Sequence, residues 1–268
     1  MVGVYVGFMT VLGGVFSVID TLTGEVLGAL AGQTIAMTLA AVATLLLARP
    51  ILSLNWRAAI LRAGGRVRGG VWVAVAVLFA VGYPLVVQIA MLTHLVLPMP
   101  EFVARLFDEL FDTRGQELAA FVLLTVLAPL VEEFVCRGWL MPAVLEKWRP
   151  AWAIVFTALV FALMHLNPWQ FFYAMYLGAW LGWIFVRTRS VWPCVVGHAV
   201  SNGLSWAWSV LDQGESGPTH SYLDPPELLP WPIAGLSLVA VIACAFWLHR
   251  TTSGKATARL PQPLNSLN

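Results

Sequence analysis

Two carboxylates and a guanidinium stand within six residues of one another in VEEFVCRGWL, residues 131 to 140, where Glu132, Glu133 and Arg137 interrupt an otherwise apolar segment. An ionisable group at the centre of a membrane-spanning helix costs about 2.5–3.5 kcal/mol on insertion scales, so three of them require partners or a function. Glu133 and Arg137 are spaced i,i+4 and can pair along one helix face. Glu132 points about 100° away from Glu133, so the two glutamates are not expected to face one partner. Glu132 is thereby left for chemistry. Two other apolar segments could meet it: FALMH places Phe161 four residues before His165, and HAVSN places His198 four residues before Asn202. A carboxylate in a low-dielectric site is expected to have its pKa raised toward neutrality, which suits it to take a proton from water and pass it on. Glu132, His165 and His198 would equally make a catalytic zinc set with an open position. No H-E-x-x-H helix is present and the three residues lie on three helices, so spacing does not choose between these chemistries. The bland alternatives are a histidine capping a helix end at His165, and interhelical packing bonds at His198 and Asn202.

The elements that must position these residues are membrane helices. About 20 apolar residues cross a bilayer core, and eight segments qualify: Val4–Ile19, Val26–Ala48, Val71–Leu97, Leu118–Met141, Ala151–Leu166, 168–186, Val191–Val210 and Trp231–Leu248. The first lacks a basic flank before it and an A-x-A site after it, and is read as a span rather than a signal peptide. Pro84 is expected to kink the third. The fourth carries the glutamates, the fifth His165, and the seventh His198 with Asn202. The fifth breaks at Asn167-Pro168, which is tolerated at membrane depth only beside protein or a wet cavity. Residues 99–117 read as an amphipathic helix on the membrane surface, and a polar, mobile tail is expected over 249–268. At 1.5 Å per residue, His198 lies roughly 10 Å, Glu132 roughly 15 Å and His165 roughly 20 Å from the cytoplasmic ends of their spans, a mismatch in depth for residues meant to meet.

Composition agrees with this architecture. The chain of 268 residues is 59% hydrophobic and 11% charged, whereas soluble domains carry about 25% charged residues. The fold class is therefore all-α: a polytopic helix bundle forming a single membrane domain over 1–268, with the lipid bilayer as its first partner. With both termini cytoplasmic, every Lys and Arg except Arg105, Arg114 and Arg137 falls in a cytoplasmic segment, as the positive-inside rule requires. A net charge of +1 and basic residues spread over several loops exclude nucleic-acid binding. The cysteines, Cys136, Cys194 and Cys244, are far apart and form neither a disulfide framework nor a metal motif.

The carboxylate pair with its arginine, then FxxxH, then HxxxN, on successive apolar helices, resembles the CPBP family of intramembrane proteases, which includes the CAAX prenyl protease 2 (type II CAAX endopeptidase) enzymes and the bacterial Abi-type proteins. The resemblance covers residues 116–211. Its EExxxR matches Glu132, Glu133 and Arg137, its FxxxH matches Phe161 and His165, and its HxxxN matches His198 and Asn202. It implies an intramembrane endopeptidase acting on a membrane-associated protein or peptide, prenylated or not, in the plasma (inner) membrane of a bacterium. Members have been described both as metalloproteases and as glutamate-type enzymes, so zinc stays open as a cofactor. In the metal-free form Glu132 acts as base, His165 positions the water, and His198 with Asn202 stabilises the oxyanion, while Glu133 and Arg137 neutralise each other and Phe161 limits water. Two readings compete: a non-catalytic membrane scaffold, immunity or regulatory partner, and a proton-coupled transporter, against which the lack of an inverted repeat counts.

Overall fold

The computed structural model describes residues 67–105, 117–165, 167–211, 213–214, 217–218 and 224–256. The described residues are helical apart from short connections and one two-residue antiparallel ladder, Gln213–Gly214 with Gly217–Pro218. Helix α1 is Gly69–Val96. It buries Val71, Val75, Leu78, Phe79 and Gly82, a stripe at helical spacing, while Val73 and Val77 are exposed. Pro84 lies inside α1 without ending it. Helix α2 is composite: α-helical at Glu117–Phe121, π-helical at Val122–Leu127, α-helical at Ala128–Glu133, π-helical at Phe134–Leu140 and α-helical again at Met141–Leu145. Helices α3 (Pro150–Met164), α4 (Pro168–Thr188), α5 (Trp192–Leu211) and α6 (Trp231–Ala256) follow.

The break between α3 and α4 has a local cause. Pro168 cannot donate to a continuing helix and fits the first helical position, and the Asn167 side chain accepts from the Trp169 amide at 3.0 Å, capping α4. The two helices then pack antiparallel and close: a Cβ on Gly178 would lie 3.0 Å from the Ala158 backbone, and one on Gly182 would touch Ile154. Close approach also explains Gly197 of α5, where a Cβ would run into the Phe79 ring of α1. Val75, Phe79, Phe161, Leu181, Ile184 and Cys194 belong to the one core that these helices share.

Helix ends gather by charge. Arg187 of α4 bonds to the Thr252 hydroxyl at 3.0 Å and to the His249 carbonyl, tying α4 to α6. Gly70 of α1 approaches Trp247 of α6, and the antiparallel α3 begins where α4 ends. Arg68, Lys147, Arg149, Arg187, Arg189 and Arg250 therefore share one end of the bundle. The opposite end holds Glu101, Glu117, Asp224 and Glu227; there the Trp169 indole donates to the Leu97 carbonyl, the Trp206 indole to the Glu117 carbonyl, and the Leu229 amide to Gln88.

Several expectations are adjusted. Among the described residues two helices, Gly69–Val96 and Trp231–Thr252, are long and apolar enough to cross a membrane by length and composition; Pro150–Met164 is apolar but shorter. The structure thus gives the all-helical class but not the count of eight spans. The expected spans at 4–19 and 26–48 lie outside the described residues, as do residues 106–116 of the surface helix, of which 101–105 are helical. Helix α6 runs on to Ala256, so the first residues of the polar segment from 249 are helical, and residues 249 and 252 are partners of Arg187.

Candidate active site

The short α-helical turn Ala128–Glu133 sits between the two π-helical segments of α2 and carries both glutamates. Single π turns inside α-helices occur often at functional sites. Glu133 and Arg137 are fully buried and Glu132 is 8% exposed. Arg137 donates from Nη1 to Glu133 Oε1 at 2.8 Å and from Nη2 to the Gly178 carbonyl of α4 at 2.9 Å. Its guanidinium also lies over the Phe161 ring, 4.8 Å from the centroid. The i,i+4 pair expected from the sequence is therefore present, and it bolts α2 to both α3 and α4. The Gly178 carbonyl was not expected; a small residue in YLGAW, where helices approach closely, was the only signal for it.

His198 of α5 corrects the expectation that Glu132 and Glu133 cannot face one partner. Its Nδ1 lies 2.9 Å from Glu133 Oε1 and its Nε2 lies 3.9 Å from Glu132 Oε2. The angular argument treats a partner as a point, but an imidazole presents two nitrogens on different edges and can address both carboxylates at once. The Glu133 oxygen that holds Arg137 offers only lone pairs, so Nδ1 of His198 carries the hydrogen. Glu132 Oε2 is buried and has no hydrogen-bond partner among the described residues. Buried carboxylate oxygens normally have one, from protein, solvent or ligand.

Phe161, 1% exposed, stands between the two histidines, edge-on to His165 at 5.0 Å and to His198 at 5.5 Å. Through this ring the three motifs meet, with Phe161 touching His165 of its own helix, His198 of α5 and Arg137 of α2. His165 itself is half-buried, and its Nδ1 lies 2.8 Å from the Phe161 carbonyl. A carbonyl only accepts, so this nitrogen carries the hydrogen and the neutral ring presents a lone pair at Nε2. Asn202 is on the same face of α5 as His198, but one of its amide hydrogens is engaged, Nδ2 to the Leu124 carbonyl of α2 at 2.9 Å. One amide hydrogen remains.

Among the described residues no group of three or more His, Cys, Asp or Glu side chains is arranged to hold a metal ion. Of Glu132, His165 and His198, the first and last face each other: Glu132 Oε2 and His198 Nε2 lie 3.9 Å apart, and Nδ1 of His198 is held by Glu133, as the second nitrogen of a metal-bound imidazole commonly is.

Residues 114–204 match the family model described as type II CAAX prenyl endopeptidase Rce1-like. The matched segment contains all seven residues of the cluster. No curated protein and no solved structure matches the chain.

Proposed function

We propose that this chain, whose residues 114–204 belong to the Rce1-like type II CAAX prenyl endopeptidase family, is an intramembrane endopeptidase in which Glu132 activates the attacking water. The family match supports a membrane protease with a protein substrate. The finer reading is carried by one observation: a buried Glu132 oxygen with no hydrogen-bond partner among the described residues, beside an imidazole that is itself fixed by a buried ion pair.

Each group has a role that its hydrogen bonds permit. Water gives a proton to Glu132 while its oxygen attacks the scissile carbonyl carbon. The lone pair on His165 Nε2 accepts the other water hydrogen and orients the molecule. The C–N bond then breaks and Glu132 returns the proton to the leaving amine. Oxyanion donors are the remaining amide hydrogen of Asn202 and, when His198 carries its second proton, Nε2–H of that ring. Glu133 is a positioning residue: it sets which nitrogen of His198 faces Glu132. The substrate is a membrane-associated protein or peptide, and a prenyl group on it is an expectation from the family.

The test compares peptide termini in membranes of cells carrying the wild-type chain or Glu132→Ala at matched expression. At least one terminus should vanish with the variant, and an identical set of termini would remove the protease reading. Cleavage of a peptide built from that terminus should survive exhaustive chelation; its loss, with recovery on adding zinc, would replace the metal-free mechanism. On the same peptide Asn202→Ala should lower kcat roughly 10²–10³-fold with KM little changed. A loss of stability alone would return Asn202 to a packing role through the Leu124 carbonyl.

A further inference from the structure

The basic end of the bundle carries an open cleft of about 510 Å³ lined by Lys147, Trp148, Arg149 and Trp152, at the junction of α2 and α3. Glu146, beside Lys147, is the single acidic residue between positions 134 and 211, so Lys147 and Arg149 leave this junction with a net positive charge. No partner is recorded for the side chains of Lys147 and Arg149 among the described residues, and both residues are exposed. Trp148 is held in place, its ring edge-on to Phe156 at 5.1 Å, yet it and Trp152 remain 48% and 66% exposed. Helix α3 starts here at Pro150, after Arg149 and with no side-chain cap, so the free amide hydrogens of the residues following Pro150 add to the positive potential.

We infer that this cleft binds the phosphate headgroup of an anionic phospholipid. Charge alone would suit any anion, but the apolar surface below the cations selects a lipid. Along α3, Trp152, Val155 and Leu163 are exposed, giving acyl chains a surface beneath the headgroup, and indoles of this kind belong at the headgroup level. Juxtamembrane basic residues attract anionic lipid by an amount that corresponds to roughly fivefold per residue. The site is separate from the glutamate cluster and does not depend on proteolysis.

The experiment adds phosphatidylglycerol or phosphatidylcholine to the detergent-purified full chain and counts retained lipid by native mass spectrometry. Wild type should retain phosphatidylglycerol in preference to phosphatidylcholine. Lys147→Ala with Arg149→Ala should weaken that retention roughly 25-fold, and Trp152→Ala, which leaves both charges, should weaken it in part. Arg68→Ala with Arg250→Ala removes the same charge from the same end and should leave it unchanged. Equal retention of the two lipids by wild type would overturn the proposal. So would equal loss in the two double variants, or displacement of the lipid by inorganic phosphate at matched concentration, which would mark a site for free anions.

Discussion

Glu132→Gln should fold as the parent does and lose cleavage by about 10²–10⁴-fold, the usual contribution of a positioned base. The carboxamide has the volume of the carboxylate, and no hydrogen bond to Oε2 from the described residues is sacrificed, because that oxygen has no partner among them. The contact with His198 Nε2, at 3.9 Å, is longer than a hydrogen bond. Chemistry and structure should therefore separate at this residue: thermal unfolding in detergent within error of wild type, and turnover of the substrate peptide at background. A variant with near-wild-type turnover would show that another group activates the water.

Arg137→Ala should do the opposite, costing stability first. Truncation removes the counter-charge of Glu133, the donor to the Gly178 carbonyl and the cation over Phe161. Removing one partner of a buried ion pair costs about 3–5 kcal/mol because the other charge stays behind. The purified variant should melt well below wild type. Pairing Arg137→Met with Glu133→Gln, which removes both charges and keeps volume, should recover much of the loss. If Arg137→Ala melts with wild type, the bolt through α2, α3 and α4 carries no stability. If the paired substitution is no better than the truncation, the cost comes from lost packing rather than from a stranded carboxylate.

The sequence made the local pairs readable because they follow helical spacing. Glu133 with Arg137 and Phe161 with His165 are i,i+4 neighbours, and each pair touches as that spacing predicts. Contacts between helices were less legible. That His198 spans both glutamates depends on where α5 lies against α2, and the bond from Asn202 to the Leu124 carbonyl depends on a backbone group that every residue possesses. Nothing in the letters VLLTVL or FVCRGWL marks a π-helical segment, since the choice between four-residue and five-residue closure is made by packing around the turn. The basic residues were readable as an orientation signal, and Lys147, Trp148, Arg149 and Trp152 already stand together in KWRPAW; that Arg187 is tied to the end of α6 at the same end of the bundle required the packing of α4 on α6.

The two π-helical segments have a consequence for how this stretch tolerates change in length. Each wide turn holds roughly one residue more than an α-helical turn of the same rise. Shortening Val122–Leu127 by one residue would let it close as ordinary helix with the residues after it still in phase, so both glutamates would keep facing His198, whereas the same deletion in an α-helical turn before them would rotate them by about 100°. Tolerance to the loss of one residue is thus placed in VLLTVL, a run of apolar residues and one threonine with no titratable group of its own.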